Sequence, residues 1–269
     1  MIFNMGGFNP LAVMPDFTYS GTYKLVDDGK SGTTQNWRLR FLTSGKFVPK
    51  WNMVIDAFLV GGGGSGCAGS GGGGGGGYTK TQKKITLTAG KEYTITVGAG
   101  GTKVSTNSGH YNTGDAGKTG GTTSAFGYTA NGGQGGQPAD DTYSYGYGGK
   151  GGSGGGAGRA NGGSDGDDGA DNKSTTAGPG KGGKGQGTTT REFGESGATL
   201  YAGGGGGGTV PDSGTYTVYT GGSGGGGDSC KSGTTNTGGG GGGGKYRPSE
   251  NGYSAGTGGS GIVVIRNAR

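Results

Sequence analysis

Cysteine, histidine, proline and long apolar runs are all scarce in this chain. Two cysteines in 269 residues are too few for a disulfide framework. Cys67 and Cys230 both sit in glycine-rich stretches, where they either pair or lie as two small buried thiols. A single histidine, His110, leaves a histidine-based triad only one base. Seven prolines and unbroken glycine runs exclude collagen, which needs glycine at every third position and about 15–20% proline. The longest apolar stretches reach about five residues, against the roughly 20 that a membrane-spanning helix needs. The opening MIFNMGGFNP has neither the basic region nor the sustained apolar core of a secretory signal.

What the chain has is glycine, 80 residues of it, while hydrophobic residues make up 26%. By composition alone this is a low-complexity sequence. Ordering costs about 1–2 kcal/mol per residue, and glycine loses more freedom than any other residue. An ordered fold therefore has to draw on backbone hydrogen bonding in a repetitive, closely packed architecture. Glycine is about 1 kcal/mol worse than alanine in a helix and weakens ordinary strands. The remaining regular option is the polyproline-II conformation, with three residues per turn and about 3.1 Å rise. Such helices have no internal hydrogen bonds, but a bundle of them bonds laterally through N–H···O, helped by Cα–H···O contacts. Gly71–Gly77, Gly203–Gly208 and Gly238–Gly244 supply the Cβ-free interior, and seven residues cross about 22 Å.

Glycine also divides the chain: residues 1–60 hold six glycines and residues 61–260 hold 73. The first part reads as β-structure. Phe17–Val26 is rich in aromatics and threonine and ends at Asp27–Asp28–Gly29. Trp37–Leu42 alternates, with Trp37, Leu39 and Phe41 on one side and Arg38 and Arg40 on the other. Ser44–Gly45 marks a turn before the short strand Lys46–Val48, and Val54–Val60 runs into the first glycines. Lys84–Thr88 and Lys91–Val97 flank Ala89–Gly90, a hairpin signal, and Gly261–Arg266 is an apolar last strand. The predicted fold is mainly β and irregular: a small β-sandwich plus a packed lattice of polyglycine-II helices, with almost no α-helix. Residues 1–16 are a docking segment. Residues 17–97 and 261–269 form the sandwich, with the first glycine run inserted at 61–77. Residues 98–260 form the lattice with its exposed loops.

The net charge is +6 and the isoelectric point about 9.2, but the charge is scattered. Lys83–Lys84 is the one adjacent basic pair, and residues 131–200 carry six basic and eight acidic residues. No clustered basic footprint of a nucleic-acid binder is present. G-x-S-x-G around Ser153 and Ser223 arises by chance in such a chain, at no strand-to-helix elbow. TGDAGKT ends like a phosphate loop but has Asn112 where the first glycine belongs. Chemistry of the enzymatic kind is not expected, and neither is a cofactor. Calcium is the one metal to weigh: Asp165, Asp167, Asp168 and Asp171 in SDGDDGADN supply closely spaced carboxylates, although the stretch misses the calcium-binding nonapeptide repeat. A solvated acidic loop is the alternative.

Aromatics are more informative, with 14 tyrosines against eight phenylalanines and two tryptophans. Many interrupt the glycine runs: Tyr111 beside His110, Tyr143, Tyr145 and Tyr147, Tyr216 and Tyr219, Tyr246 beside Arg247, and Tyr253. Tyrosine among Gly, Ser and Asn is the chemistry of adaptable binding loops. His110, Tyr111, Tyr143, Tyr145, Tyr147, Tyr216, Tyr219, Tyr246 and Arg247 are the candidate receptor-binding residues. The alternative has these rings capping the open ends of the lattice.

The series AFLVGGGG, YTITVGAGG, GGTTSAFG, KGQGTTTREFGE, LYAGGGGGG, NTGGGGGGG and GGSGIVVIR, over residues 54–266, resembles the glycine-rich domain of bacteriophage tail and virion proteins. The layout is also similar to the glycine-rich domain of the anaplastic lymphoma and leukocyte receptor kinases, which packs polyglycine-II helices beside a small sandwich and binds protein ligands. This chain has no kinase, so that role does not carry over. T-even-type distal tail-fibre adhesins are similar in architecture. The resemblance implies a virion protein docked to other virion proteins through residues 1–16 and presenting loops to a bacterial surface glycan or protein. From charge and composition no nucleic-acid partner and no membrane span are expected, and a homo-oligomer is left open. A purely structural head fibre or decoration protein is the second reading, and an ice-binding polyglycine protein the third.

Overall fold

A computed structural model describes residues 16–27, 37–69, 71–106, 115–138, 146–158, 190–208, 218–247 and 252–268. In chain order the strands are β1 (Phe17–Tyr19), β2 (Tyr23–Asp27), β3 (Trp37–Phe41), β4 (Gly45–Pro49), β5 (Met53–Val60), β6 (Thr79–Leu87), β7 (Tyr93–Ile95), β8 (Ser105–Thr106), β9 (Thr123–Ala125), β10 (Tyr128–Ala130), β11 (Lys245–Arg247), β12 (Gly252–Ser254) and β13 (Ile262–Asn267). One 3₁₀ turn, Glu192–Gly194, is the only helical element among the described residues. The fold is thus mainly β, built from antiparallel sheets.

The largest sheet has the order β2-β3-β13-β5-β6, and a second has β1-β4-β7. They pack face to face because strand alternation sends Trp37, Leu39, Phe41, Ile55, Ala57, Leu59, Leu87, Val263 and Ile265 to one side, against Phe47 and Ile95. Central strands β5 and β13 are buried on both faces, so they read as nearly continuous apolar runs. Three details differ from the sequence reading. The Phe17–Val26 strand is broken at Gly21 into β1 and β2, which join different sheets; a Cβ at Gly21 would meet the Ser44 carbonyl and the Tyr19 ring. Lys84–Thr88 and Lys91–Val97 do not form a hairpin. β6 pairs with β5 and β7 pairs with β4, so Ala89–Gly90 turns the chain from one sheet to the other. Inside the glycine-rich region, β9 and β10 form a tight hairpin through Phe126 and Gly127, both at positive φ. Its Ala125 and Ala130 are buried in the sandwich core.

Outside the strands, the glycine segments are bonded to one another with a period of three. The N–H groups of Gly72, Gly75 and Tyr78 donate to Gln137, Gln134 and Asn131. Those of Gly73 and Gly76 donate to Gly156 and Ser153, and those of Gly74 and Gly77 to Gly241 and Gly238. The carbonyls of the same segment accept in rotation from 61–67, 149–152 and 205–208. Residues 71–78 are therefore ringed by six segments. Residues 61–68 follow the same rule, donating in turn to 72–78, 115–121 and 256–259. On the outer segment 131–137 the period appears as exposure: Asn131, Gln134 and Gln137 are exposed while the glycines between them are buried.

The bundle has two poles. Val60 of β5 leads directly into Gly61, so the bundle grows out of one end of the sandwich. At the other end of β5, Val54 O accepts from Ala268 N–H and Lys50 N–H donates to Asp16 O. The first and last described residues therefore lie together, beside exposed Trp51, at the pole remote from the bundle.

Candidate functional site

The far pole of the bundle is marked by Cys67, whose N–H donates to Gly72 O. Ala68 N–H donates there to Asp115 O, Gly72 N–H to Gln137 O, Gly208 N–H to Gly71 O, and Gly244 N–H to Cys67 O. Ala68, Val104 and Ala255 pack together at this level. These residues flank the connections 107–114, 139–145, 209–217 and 248–251, so the chain leaves and re-enters the bundle for each of them at this one pole. Connection 159–189 also departs from it, since Gly158 N–H donates to Gly146 O, but it returns at the sandwich, where Tyr201 N–H donates to Thr190 O.

Of the tyrosine-centred candidates, His110, Tyr111, Tyr143, Tyr145 and Tyr216 lie outside the described residues, as do Asp165, Asp167, Asp168 and Asp171. Among the described residues no group of three or more His, Cys, Asp or Glu could hold a metal. Tyr147 is half-buried, with its carbonyl accepting from Gln137 N–H. Tyr219 is not presented to solvent: it is 4% exposed, and burial raises its hydroxyl above the usual tyrosine range. Ser229 fixes its backbone, with Oγ accepting from Tyr219 N–H at 2.8 Å and donating to Gly207 O at 2.8 Å. Tyr246 and Arg247 belong to a strand rather than a loop. β11 pairs with β12, with Tyr246 opposite Tyr253, and β12 pairs with β8, capping the far pole with a small sheet.

Cys67 and Cys230 are both buried and are not joined in a disulfide. Burial, with the nearby Asp115 charge, pushes the Cys67 thiol far up, so little reactive thiolate forms at neutral pH. The folded protein is expected to leave both thiols unmodified by a thiol reagent at pH 7, and denaturation to expose both; rapid labelling of the native state would contradict this packing.

A second site, unforeseen from sequence, lies on the outer face of the large sheet. Arg38, Arg266 and Asp56 form one cross-strand row of β3, β13 and β5, and Arg40, Val264 and Phe58 form the next. Glu192, which opens the 3₁₀ turn, and Glu195, the extended residue that follows it, both come down on this face. Glu192 binds Arg38 Nη1 at 2.6 Å and Arg40 Nη2 at 2.8 Å. It also accepts from the Tyr201 hydroxyl at 2.7 Å. Glu195 binds Arg38 Nη2 at 2.8 Å and pairs with Arg266 Nη1. Arg266 Nε is 3.2 Å from Asp56 Oδ2, and Asp56 Oδ1 accepts from Lys84 N–H at 3.0 Å. Lys84 sits at φ 56° in the bulge where β6 slips past β5. Phe193 lies under Arg266, with the guanidinium carbon 4.1 Å from the ring centroid, and rests on Phe58. Burial opposes the charged form of Glu195, but Arg266 and Arg38 outweigh it and hold the carboxyl below its ordinary value. Burial and the Glu192 charge push the Tyr201 hydroxyl up. The sequence signal was present: Arg266 and Asp56 interrupt apolar strands, and a charge there requires a partner.

An antiparallel sandwich extended by a hydrogen-bonded glycine bundle defines the class to which this molecule belongs. The chain is a member of the glycine-rich domain family, whose profile matches residues 42–268. No curated protein matches the sequence. No helix among the described residues is long and apolar enough to cross a membrane.

Proposed function

We propose that this protein is a non-enzymatic, tail-associated bacteriophage virion protein that presents loops for host-surface recognition. The observation that carries the reading is the separation of poles. Residues 16 and 268 leave the fold beside Trp51 at one end, and four connections leave and return at the other. In this reading residues 1–16 dock to other virion proteins, and the far pole faces a bacterial surface glycan or protein. We read the glycine segments as polyglycine-II helices, because a partner period of three and a ring of six neighbours are what a threefold helix packed side by side requires. Such a mount fixes its loops by backbone bonds, so loop sequence can vary without touching the interior. The chemistry needs no cofactor, and calcium at Asp165, Asp167, Asp168 and Asp171 would be accessory to it.

The buried ring of Tyr219 favours the second reading, a structural virion part, for that residue alone. Alanine at Tyr145, Tyr219 and Tyr246, one at a time, separates the two. Tyr219→Ala is expected to lower the melting point, while Tyr145→Ala and Tyr246→Ala weaken binding to host cells and melt normally. Failure of the wild-type protein to bind any candidate host surface, or early melting with normal binding for Tyr145→Ala and Tyr246→Ala, leaves the structural reading in place.

A further inference from the structure

The segment Thr190–Tyr201 is a strap lying across the outer face of the large sheet. It is closed on itself by Glu192 N–H to Thr199 O and Tyr201 N–H to Thr190 O, each at 3.0 Å. Beneath it lie Phe58, Val60, Ile262 and Val264, and the strap contributes Phe193 and Tyr201 to that cluster. Its polar attachment to the sheet is ionic. From β3, Arg38 and Arg40 meet Glu192, and Arg38 also meets Glu195. From β13, Arg266 meets Glu195. From β5, Asp56 meets Arg266, with the Lys84 backbone N–H of β6 behind it. On β2, Lys24 stands opposite Arg40 and adds positive charge. Within the strap, Arg191 turns to the Ala198 carbonyl at 3.0 Å and not to the cluster. Three guanidinium groups thus balance three carboxylates, and two of those carboxylates belong to the strap.

We propose that this cluster is an acid-sensitive latch, which releases the strap from the sheet when Glu195, the carboxylate shared by Arg38 and Arg266, is protonated, while the sandwich and the glycine bundle stay folded. Protonating Glu195 removes the charge that Arg38 and Arg266 share, and leaves Glu192 and Asp56 to offset three guanidinium groups. Arg266 is 2% exposed and Arg38 14%, so water compensates their charges little, while Glu195, 39% exposed, is reached by solvent. A carboxyl whose folded value lies below its unfolded one stabilises the docked strap above the unfolded value. That contribution is lost as the pH falls through the folded value. Glu195 is of this kind. The bundle has no such dependence, because its bonds join uncharged backbone groups. The strap is also where the chain that leaves the far pole at Gly158 re-enters the fold, so the latch governs the sandwich-side anchor of that connection. This inference does not rest on the adhesin reading.

Amide hydrogen exchange by NMR between pH 7 and pH 3, corrected for intrinsic exchange, tests it. Protection of the Glu192 and Tyr201 amides is expected to be lost as the pH falls through the folded value of Glu195, which lies below the ordinary glutamate value of 4.5. Protection of the Gly74 and Gly241 amides should hold. Glu195→Gln is expected to loosen the strap already at pH 7. Strap and bundle amides losing protection together, or a strap fully protected at pH 3, overturns the latch. Should Glu195→Gln fail to fold, the wild-type titration decides alone.

Discussion

Alanine at Gly74 or Gly241 is expected to cost about 3 kcal/mol each, the upper part of the range for overpacking a close-packed interior. At about 2–4 °C per kcal/mol for a chain of this size, that is a fall of about 6–12 °C in melting temperature. A Cβ on Gly74 would stand closer than 3.0 Å to the Gly64 carbonyl oxygen, and one on Gly241 equally close to the Gly256 carbonyl. Neither obstacle is a side chain that can swing aside, because both are backbone carbonyls of segments bonded into the bundle. Neither glycine has positive φ, so a backbone effect alone would make alanine stabilising by about 0.4–1 kcal/mol. The sign of the measured change therefore separates close packing from chain entropy. Segment 131–137 supplies the internal control. Gly133→Ala meets the Gly75 carbonyl, whereas Gln134, one residue on, is exposed, and Gln134→Ala should leave the melting point unchanged. Neutral Gly74→Ala and Gly241→Ala variants would refute the packing.

Asp56→Ala should destabilise the sandwich by about 3–5 kcal/mol, the cost of removing one partner of a buried pair. Asp56 is fully buried and Arg266 is 2% exposed, so the loss leaves a guanidinium with Glu195 as its remaining carboxylate. It also leaves the Lys84 N–H without its acceptor at the β5–β6 bulge. Asp56→Asn keeps an oxygen for Lys84 and loses only the charge, so it should cost less than alanine. Equal melting points for the two variants would mean that the Lys84 bond contributes nothing and the charge everything. An unchanged melting point for both would remove the cluster from the account of stability.

Some of this was written in the sequence because it depends only on local covalent properties. Glycine lacks Cβ, so runs such as Gly71–Gly77 can be neither good helix nor good strand, and close backbone approach is what remains for them. Alternation fixed the inward faces of Trp37, Leu39 and Phe41, and the apolar runs Val54–Val60 and Gly261–Arg266 gave the two central strands. The polar first half of β6, Thr79–Lys83, carried no such signal, because an edge strand is held by backbone pairing with β5 more than by burial. The tertiary structure alone decided which segments are neighbours. A three-residue period states that three directions exist, but not that Gly72, Gly73 and Gly74 face Gln137, Gly156 and Gly241. Likewise the charges of Arg38, Arg40, Arg266, Asp56, Glu192 and Glu195 are evident in the sequence. Their balance arises only because β3, β13 and β5 come side by side and a segment some 150 residues away folds across them. Tyr219 makes the same point: composition marks it as a loop aromatic, and only the position of Ser229 and Gly207 turns it inward.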